Sequence, residues 1–421
     1  MTNATSRSPA LPEKLAAPWL SAAPLRALFN AFHHRGADIR VVGGAVRNGL
    51  LGLPVKDIDL ATPLLPEAVM ALAQSAGFAV YPTGLAHGTV TVVGHGQSFE
   101  VTTLRRDIET TGRHAVVAFT TDWTEDALRR DFTINALLCS ADGTITDLVG
   151  GRHDLAHRRV RFIGDAHARI REDYLRILRF FRMSAMYGEG PLDATGLAAC
   201  ATLKEGLAQL SAERVRTEVM ALLGSHRAAD VVATMQAASI TTAIFKSDVH
   251  VDRLRRLQAI EAVLRAAADP SDRLAALAID SDADVADVSA LLRLSAFESE
   301  ALADALRIPA HIAATASDRD LRQRVYRHGN TSIRRALVHA WAASAASIDD
   351  ADWQRRVITA NSWPAPTMPF SGRDVLALGV PPGPNVGRIL SEFEAWWSAR
   401  DFPDDVFQQR ARLAALVAEM P

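Results

Sequence analysis

The stretch at residues 41–62 constrains the fold of this chain more than any other segment. An apolar run ends in a double glycine, a short amphipathic segment with one arginine follows, and then Asp57 and Asp59 alternate with Ile58 and Leu60. A period of two is typical of a half-buried strand, which places both carboxylates on one face. Neighbouring acids repel each other, and a divalent cation such as Mg²⁺, which prefers oxygen ligands, relieves that repulsion. The segment therefore predicts a magnesium site.

The residues ahead of this strand predict a phosphate site. Gly43 and Gly44 form a turn before a predicted helix, where bare backbone N–H groups can contact a phosphate, and Arg47 follows closely. A metal ion and a triphosphate are thus implied together. Taken alone, Asp-x-Asp also suits the solvated face of an edge strand, and Gly-Gly suits many turns. The combined spacing favours the first interpretation.

Four further segments follow in order along the chain. They cover residues 125–136, 147–161, 172–176 and 211–218. Together with the first segment, they resemble the five motifs of the class II tRNA nucleotidyltransferase and bacterial poly(A) polymerase superfamily. The resemblance implies an α+β fold: a polymerase-β-like nucleotidyltransferase head with a mixed β-sheet, followed by an all-helical neck, body and tail.

Hydrophobic patterning agrees with this division. Runs typical of strands alternate with helical runs over residues 36–150, and helical periodicity takes over from about residue 169. The predicted strands are residues 39–42, 58–61, 89–93, 99–103 and 144–147, and the first predicted helices are residues 45–51 and 66–76. We predict a catalytic head at residues 1–150, a base-recognising neck at 151–225, a body at 226–360 and a tRNA-binding tail at 361–421.

The resemblance also assigns roles to the residues of the head. Asp57 and Asp59 would be the catalytic metal ligands, holding Mg²⁺, and Gly43, Gly44 and Arg47 would contact the nucleotide phosphates. A third catalytic carboxylate is implied on a neighbouring strand, and strand alternation places Glu100 there. A structural ion pair is the alternative role for Glu100.

In the second motif, the resemblance implies that Arg130, Asp131 and Asn135 contact the ribose and phosphates of the incoming nucleotide. The structural alternative is a buried Asp–Arg pair with a core asparagine.

In the fourth motif, Asp173 and Arg176 are three residues apart in a helical stretch, so we expect them to share one face. The resemblance makes them the protein's template for the Watson–Crick edges of CTP and ATP, and we assign Arg179 to the same nucleotide-binding set. A surface salt bridge between Asp173 and Arg176 is the alternative.

Charge is distributed unevenly along the chain. The net charge of −2 excludes a protein that coats nucleic acid indiscriminately, so an RNA partner must meet a local basic surface. Between residues 152 and 182 there are nine arginines against four acids. We predict that Arg158, Arg159 and Arg161 contact tRNA phosphates.

Two features of the resemblance stand apart. Asn48 occupies a position where the family usually has aspartate. This puts in doubt any charge partner that the aspartate would supply, although hydrogen bonds from the amide can take its place. Residues 105–123 predict a mobile loop beside the site. In this family the corresponding loop helps to change specificity from C to A, and a plain flexible connection is the alternative.

Bulk properties set further limits. The hydrophobic content of 48% supports packed cores, and Cys139 and Cys200 are interpreted as small buried side chains rather than a disulfide or metal site. Residues 1–10 are polar, and no apolar stretch has the length of a membrane span. We expect a cytoplasmic protein without a membrane partner, whose oligomeric state the sequence leaves open.

The function implied by the resemblance is the addition of C, C and A to the 3′ end of tRNA, using CTP, ATP and Mg²⁺ without a nucleic-acid template. A poly(A) polymerase of the same superfamily shares these motifs, and a partial CC- or A-adding enzyme is a further alternative. A catalytically silent RNA-binding protein is disfavoured, because both Asp57 and Asp59 are present.

Overall fold

The computed structural model of the chain describes residues 11–111 and 114–419, and for residues 107–111 and 114–117 it describes the backbone alone. The fold separates into two compact units, one that ends at Ser247 and one that begins at Asp248. The boundaries that we predicted between head, neck, body and tail are finer than this division, and they stay predictions.

The first unit is built around a mixed β-sheet. Its strands and those of a separate hairpin are β1 (Arg40–Val42), β2 (Asp59–Thr62), β3 (Ala79–Gly84), β4 (Thr89–Gly94), β5 (Gln97–Thr103), β6 (Arg105–Thr111), β7 (His114–Phe119), β8 (Leu138–Cys139) and β9 (Ile145–Thr146). The sheet has the order β3-β4-β5-β2-β1-β8-β9. β2 and β5 are parallel and the other neighbours are antiparallel, so the predicted mixed sheet is confirmed.

Helices cover this sheet and continue beyond it. They are α1 (Ala23–His33), α2 (Gly44–Leu50), α3 (Pro66–Ser75), α4 (Trp123–Leu128), α5 (Gly151–Ala156), α6 (Ala166–Glu172), α7 (Leu175–Tyr187), α8 (Ala194–Leu203), α9 (Ala212–Leu223), α10 (Ala228–Ala237) and α11 (Ile240–Phe245). Short 3₁₀ turns lie at Pro18–Ser21, Leu85–His87, Thr133–Asn135 and Lys204–Gln209.

Local sequence explains how the first motif folds. Gly43 has φ of +68°, a left-handed conformation that glycine adopts easily, and there the chain turns from β1 into α2. Ile58 and Leu60 are buried, whereas Asp57 and Asp59 are exposed. The sheet therefore turns both acids away from its core, as the period of two predicted.

In the second unit, every regular element of the described residues is a helix. Its helices are α12 (Val251–Leu264), α13 (Pro270–Ala278), α14 (Asp282–Leu292), α15 (Ala296–Asp304), α16 (Ala310–Ala313), α17 (Asp318–His328), α18 (Asn330–Ala343), α19 (Ala351–Ser362), α20 (Gly372–Ala377), α21 (Pro384–Ala399) and α22 (Val406–Ala418). One core contains the stacked Trp341 and Trp353, and a second contains Phe393 and Trp397. In the part of the chain that the structure describes, no helix has the length and apolar character needed to cross a bilayer.

The predicted loop at residues 105–123 is wrong in its secondary structure. β6 and β7 pair antiparallel, with Arg105 opposite Phe119, and α4 begins at Trp123. Strands β3 and β8 were also missed. By contrast, Cys139 and Cys200 are buried free thiols, as predicted.

Candidate active site

Two central strands of the sheet bring carboxylates to one face. In the parallel β2–β5 pair, Asp59 is in register with Glu100. Phe99, next to Glu100, is buried while Glu100 itself is exposed, so the alternation seen around Asp59 recurs on β5. The third predicted acid, Asp57, precedes β2 and is close enough for its charge to act on Asp59.

These acids concentrate negative charge. Burial, then the charge of Glu100, then that of Asp57 raise the pKa of the Asp59 carboxyl, and Arg130 acts weakly in the opposite direction. Among the described residues, no ion pair joins Asp57, Asp59 or Glu100 to a basic side chain. Such oxygen donors suit a hard divalent cation. However, no group of three or more His, Cys, Asp or Glu side chains in the described residues already has the arrangement of a metal site.

Asp59 and Glu100 lie in the wall of a cavity of about 650 Å³ within the first unit. Eight arginines and four acids line it. The arginines are 47, 105, 129, 130, 176, 179, 182 and 214, the acids are Asp59, Glu100, Asp131 and Asp173, and Gly43, Gly44 and Asn135 are also part of the wall. The excess of positive charge favours an anionic ligand.

Arg47 is buried beside this cavity and bonded within the protein. Its guanidinium donates to the side-chain oxygens of Asn48, Asn135 and Tyr187, and it stacks on the Tyr187 ring with its central carbon 3.9 Å from the ring centroid. Burial lowers the pKa of Arg47, although Tyr187 acts in the opposite direction. Tyr187 ends α7, so these contacts join α2 of the predicted head to the predicted neck.

The second motif supplies two acids that hold arginines. Asp126 is buried and accepts from Arg129 at 2.8 Å and from Arg130 at 3.0 Å. Asp131 accepts from Arg179 at 2.5 Å and from the Asn135 amide at 3.0 Å. Burial opposes ionisation of Asp131, but the charge of Arg179 and these hydrogen bonds outweigh it and lower the pKa.

Asp131 and Asn135 therefore have partners within the chain, but both are half-buried, so they are not the buried pair and core asparagine of the structural alternative. Asn135 lines the cavity together with Arg130 and Asp131, so the three predicted nucleotide contacts are brought to one place.

The fourth motif departs from the expected geometry. Asp173 lies between α6 and α7 with extended backbone angles, so it does not share a helical face with Arg176, which belongs to α7. Asp173 instead accepts from Arg214 of α9 at 2.6 Å, while Arg176 pairs with Glu172. Asp173, Arg176 and Arg179 nevertheless all line the cavity.

A buried acid on α9 supports the same wall. Glu218 is 6% exposed, and its carboxylate lies 2.5 Å from Arg182 and 3.7 Å from Arg179. Sequence reasoning missed Arg214 and Glu218, although both fall in the fifth motif and their spacing of four puts them on one face of a helix. It also missed Asp126 and Tyr187. No local signal points to Tyr187.

The predicted RNA contacts lie apart from the cavity wall. Arg161 donates to the buried Asp154 at 2.9 Å, and Arg158 is 3.6 Å from Glu189. Arg159 is exposed, and no ion pair is described for it. Arg161 is exposed as well, so Arg159 differs from it by the lack of a described ion pair.

Comparisons with known proteins agree with this architecture. The family model for the poly A polymerase head domain matches residues 39–161. The CCA tRNA nucleotidyltransferase 1, mitochondrial, of Danio rerio is 33% identical over 379 residues, which are 88% of this chain and 85% of that protein. The Homo sapiens protein of the same name is 45% identical over 209 residues, 48% of each chain.

A solved structure covers nearly the whole chain. The Bacillus stearothermophilus CCA-adding enzyme in complex with CTP matches with a TM-score of 0.71 and 25% identity, over 96% of this chain and 98% of that one. The likeness therefore extends past the head into the helical part. This chain belongs to the CCA tRNA nucleotidyltransferase family, the CCA-adding enzymes.

Proposed function

We propose that this chain adds C, C and A to the 3′ end of tRNA, taking CTP and ATP as substrates and using no nucleic-acid template. One observation carries the proposal beyond family membership. The acids of β2 and β5 share a single cavity with Asp173 and Arg176, the residues implied to read the base. A nucleotide in this cavity could contact both groups at once.

Enzymes of this superfamily generally use a divalent metal ion, and we assign Mg²⁺, with Asp57 and Asp59 as its ligands and Glu100 as the third catalytic carboxylate. When bound, Mg²⁺ supplies charge neutralisation for attack of the tRNA 3′-hydroxyl on the α-phosphorus. The excess charge around Asp59 supports this assignment, because two negative neighbours already oppose its ionisation.

The positive wall of the cavity receives the nucleotide. Gly43, Gly44 and Arg47 face the phosphates, and Arg130, Asp131 and Asn135 face the ribose and phosphates. Gly43 has φ of +68°, which a residue with a side chain adopts only with strain, so glycine suits the turn that exposes the backbone N–H groups before α2. Arginine fits this role because its planar fork binds phosphate oxygens with two hydrogen bonds.

Base selection falls to Asp173 and Arg176, with Arg179 beside them. Asp173 offers an acceptor and Arg176 a planar donor, the two functions that a Watson–Crick edge requires. In the structure each already has a partner, Arg214 for Asp173 and Glu172 for Arg176. A base edge must therefore share or displace these partners. A base with the wrong donors and acceptors would break these ion pairs without forming hydrogen bonds to replace them.

We assign tRNA binding to Arg158, Arg159 and Arg161 and to the predicted tail, and we place the enzyme in the cytoplasm. The local excess of arginine supports the assignment of tRNA binding. Fractionation of cells that produce a tagged chain tests the location.

Product length tests the proposed activity. Purified protein is incubated with tRNA that lacks its last three nucleotides, with CTP alone, ATP alone and both. We expect two added residues with CTP alone, none with ATP alone, and three with both. Long A-tails with ATP alone would refute the proposal in favour of a poly(A) polymerase, and a final product of fewer than three residues with both nucleotides would indicate a partial enzyme.

A further inference from the structure

The arginines of the cavity wall differ in how their charge is balanced. Six of the eight form an ion pair with an acid of the same chain. The pairs are Arg129–Asp126, Arg130–Asp126, Arg176–Glu172, Arg179–Asp131, Arg182–Glu218 and Arg214–Asp173. Arg47 is only 7% exposed, yet each of its hydrogen-bond partners among the described residues is a neutral side chain.

The contacts of Arg47 can be counted atom by atom. Nε and Nη2 donate to Asn48 Oδ1 at 3.2 and 3.0 Å, Nη2 also donates to the Tyr187 hydroxyl at 2.8 Å, and Nη1 donates to Asn135 Oδ1. A guanidinium has five N–H donors. One Nη1 hydrogen is left without a partner in the described residues.

A buried cation with only neutral partners is costly to the folded protein, because amide dipoles replace hydration but do not cancel the charge. Asp131 attracts the Arg47 charge from a distance, and Arg182 repels it. An anion that enters the cavity would supply the missing charge. Arg47 therefore gains more from a phosphate than an arginine that an acid already neutralises.

Asn48 occupies the place where such an acid would stand. Its Oδ1 contacts both Nε and Nη2 of Arg47, and its Nδ2 donates to the Pro54 carbonyl at 2.9 Å. An aspartate has almost the same shape, so at this position it would put a negative charge against the guanidinium. The amide fixes the direction of Arg47 without neutralising it.

We propose that Asn48 is a positioning residue that orients Arg47 while leaving its charge uncompensated, so that the guanidinium remains available to the triphosphate of the incoming nucleotide. The inference rests on the proposed nucleotidyltransferase function and deepens it. Asn48 then governs affinity for the phosphates common to CTP and ATP, while choice between the bases belongs to Asp173 and Arg176.

The test measures binding of inorganic tripolyphosphate by calorimetry in Mg²⁺ buffer, which needs neither base nor turnover. Asn48→Asp adds the missing negative charge. Asn48→Ala removes the same hydrogen bonds, including the bond to Pro54, without adding charge. Gln74→Glu adds one negative charge at an exposed position on α3, outside the cavity wall, and serves as the matched control.

We expect Asn48→Asp to weaken tripolyphosphate binding about tenfold and to flatten its salt dependence. The affinity of Asn48→Ala for tripolyphosphate should stay within about threefold of the wild-type value. The affinity of Gln74→Glu should equal the wild-type value. With CTP and ATP, Asn48→Asp should raise both KM values alike and leave their ratio unchanged. Loss of correct base choice would instead indicate a general structural role and overturn the proposal.

Two other results would also overturn it. One is wild-type affinity in Asn48→Asp, and the other is an equal loss in Asn48→Ala, which would assign the effect to lost hydrogen bonds. If Asn48→Asp does not fold, a loss of about tenfold or more in Asn48→Ala, which adds no charge, would by itself overturn the proposal. A wild-type chain that extends tRNA while Asn48→Asp binds normally refutes this inference alone, whereas a wild-type chain that adds no nucleotide refutes the proposed function.

Discussion

The predicted head and the predicted neck differ in how they balance charge around the cavity; we call them its head side and its neck side. On the head side, Asp57, Asp59 and Glu100 lie together, and the described residues provide no ion pair for any of them. On the neck side, Asp173 and Glu218 each hold an arginine at 2.6 Å or less. On the neck side, the ion pairs neutralise the acids and fix the arginines without a ligand. On the head side, the acids repel one another, and a cationic ligand would relieve that repulsion.

This difference predicts opposite responses to the removal of charge. Neutralising an acid on the head side should relieve repulsion and spare the fold while it abolishes chemistry. Neutralising an acid on the neck side should leave a buried arginine without its partner and lower stability. A protein in which both sides responded alike would contradict the comparison.

The largest expected effect is on catalysis at the head side. Asp59→Asn should lower nucleotide addition about a thousandfold, because the metal loses a carboxylate ligand. The raised pKa of Asp59 means that the folded state holds this proton more tightly than the unfolded state, so ionisation of Asp59 at neutral pH opposes folding. The substitution should therefore raise the Tm or leave it unchanged. Thermal unfolding measures the Tm, and nucleotide addition to tRNA measures the activity of the same variant.

Glu67→Gln is the matched control, since Glu67 is an exposed acid in the first turn of α3. It should retain both activity and Tm. Activity of Asp59→Asn within tenfold of the wild type would exclude Asp59 as a metal ligand.

The second effect is on stability at the neck side. Glu218→Gln should lower the free energy of unfolding by about 3 kcal/mol, because an amide cannot neutralise Arg182 and Arg179. Glu205→Gln makes the same charge change at an exposed site in the 3₁₀ turn Lys204–Gln209, and it should change stability by less than about 0.5 kcal/mol. Guanidinium titration of the three proteins provides the comparison. Equal stability of the two variants would show that Glu218 is not needed to hold this wall.

The sequence predicted the head better than the parts between its motifs. Residues 58–61 and 99–103 were expected as strands and correspond to β2 (Asp59–Thr62) and β5 (Gln97–Thr103), because buried and more exposed positions alternate over residues 58–60 and 99–103. β6 was missed because Arg105–Thr111 is mostly polar and carries no apolar alternation. Its backbone pairing with β7 makes it a strand regardless of side-chain pattern.

The same limit applies to the site. Residues within one motif could be grouped from their spacing, and residues of the first, second, fourth and fifth motifs line the cavity. Contacts between residues far apart in the chain could not be predicted from the sequence. Tyr187, for example, lies 140 residues from Arg47. The prediction that Asp173 and Arg176 share a helical face was wrong, because Asp173 lies between two helices and has extended backbone angles. Its ion pair with Arg214 depends on tertiary packing, which the local sequence does not show.

A smaller effect sharpens the view of the head side. Because burial, Glu100 and Asp57 raise the pKa of Asp59, Mg²⁺ must displace a proton at a pH where an ordinary aspartate is already ionised. Calorimetry at mildly acidic pH, in buffers of different ionisation enthalpy, should therefore show release of a fraction of one proton on Mg²⁺ binding. Glu100→Gln removes one of the repelling charges and should reduce that release, while an unchanged release would show that Glu100 does not act on Asp59.

The smallest effect concerns the two kinds of arginine in the predicted RNA surface. Arg159 is exposed without a described ion pair, so Arg159→Gln should weaken tRNA binding about fivefold and lower the slope of affinity against salt. Arg161 donates to Asp154, which also accepts from the Thr133 hydroxyl and lies 3.8 Å from the His153 ring. Arg161→Gln should therefore cost stability more than affinity, because it leaves the buried Asp154 carboxylate without its arginine. Anisotropy titrations at several salt concentrations, with Tm values for both variants, separate the two cases, and an equal loss of affinity with unchanged Tm would show that Arg161 also serves RNA rather than the fold.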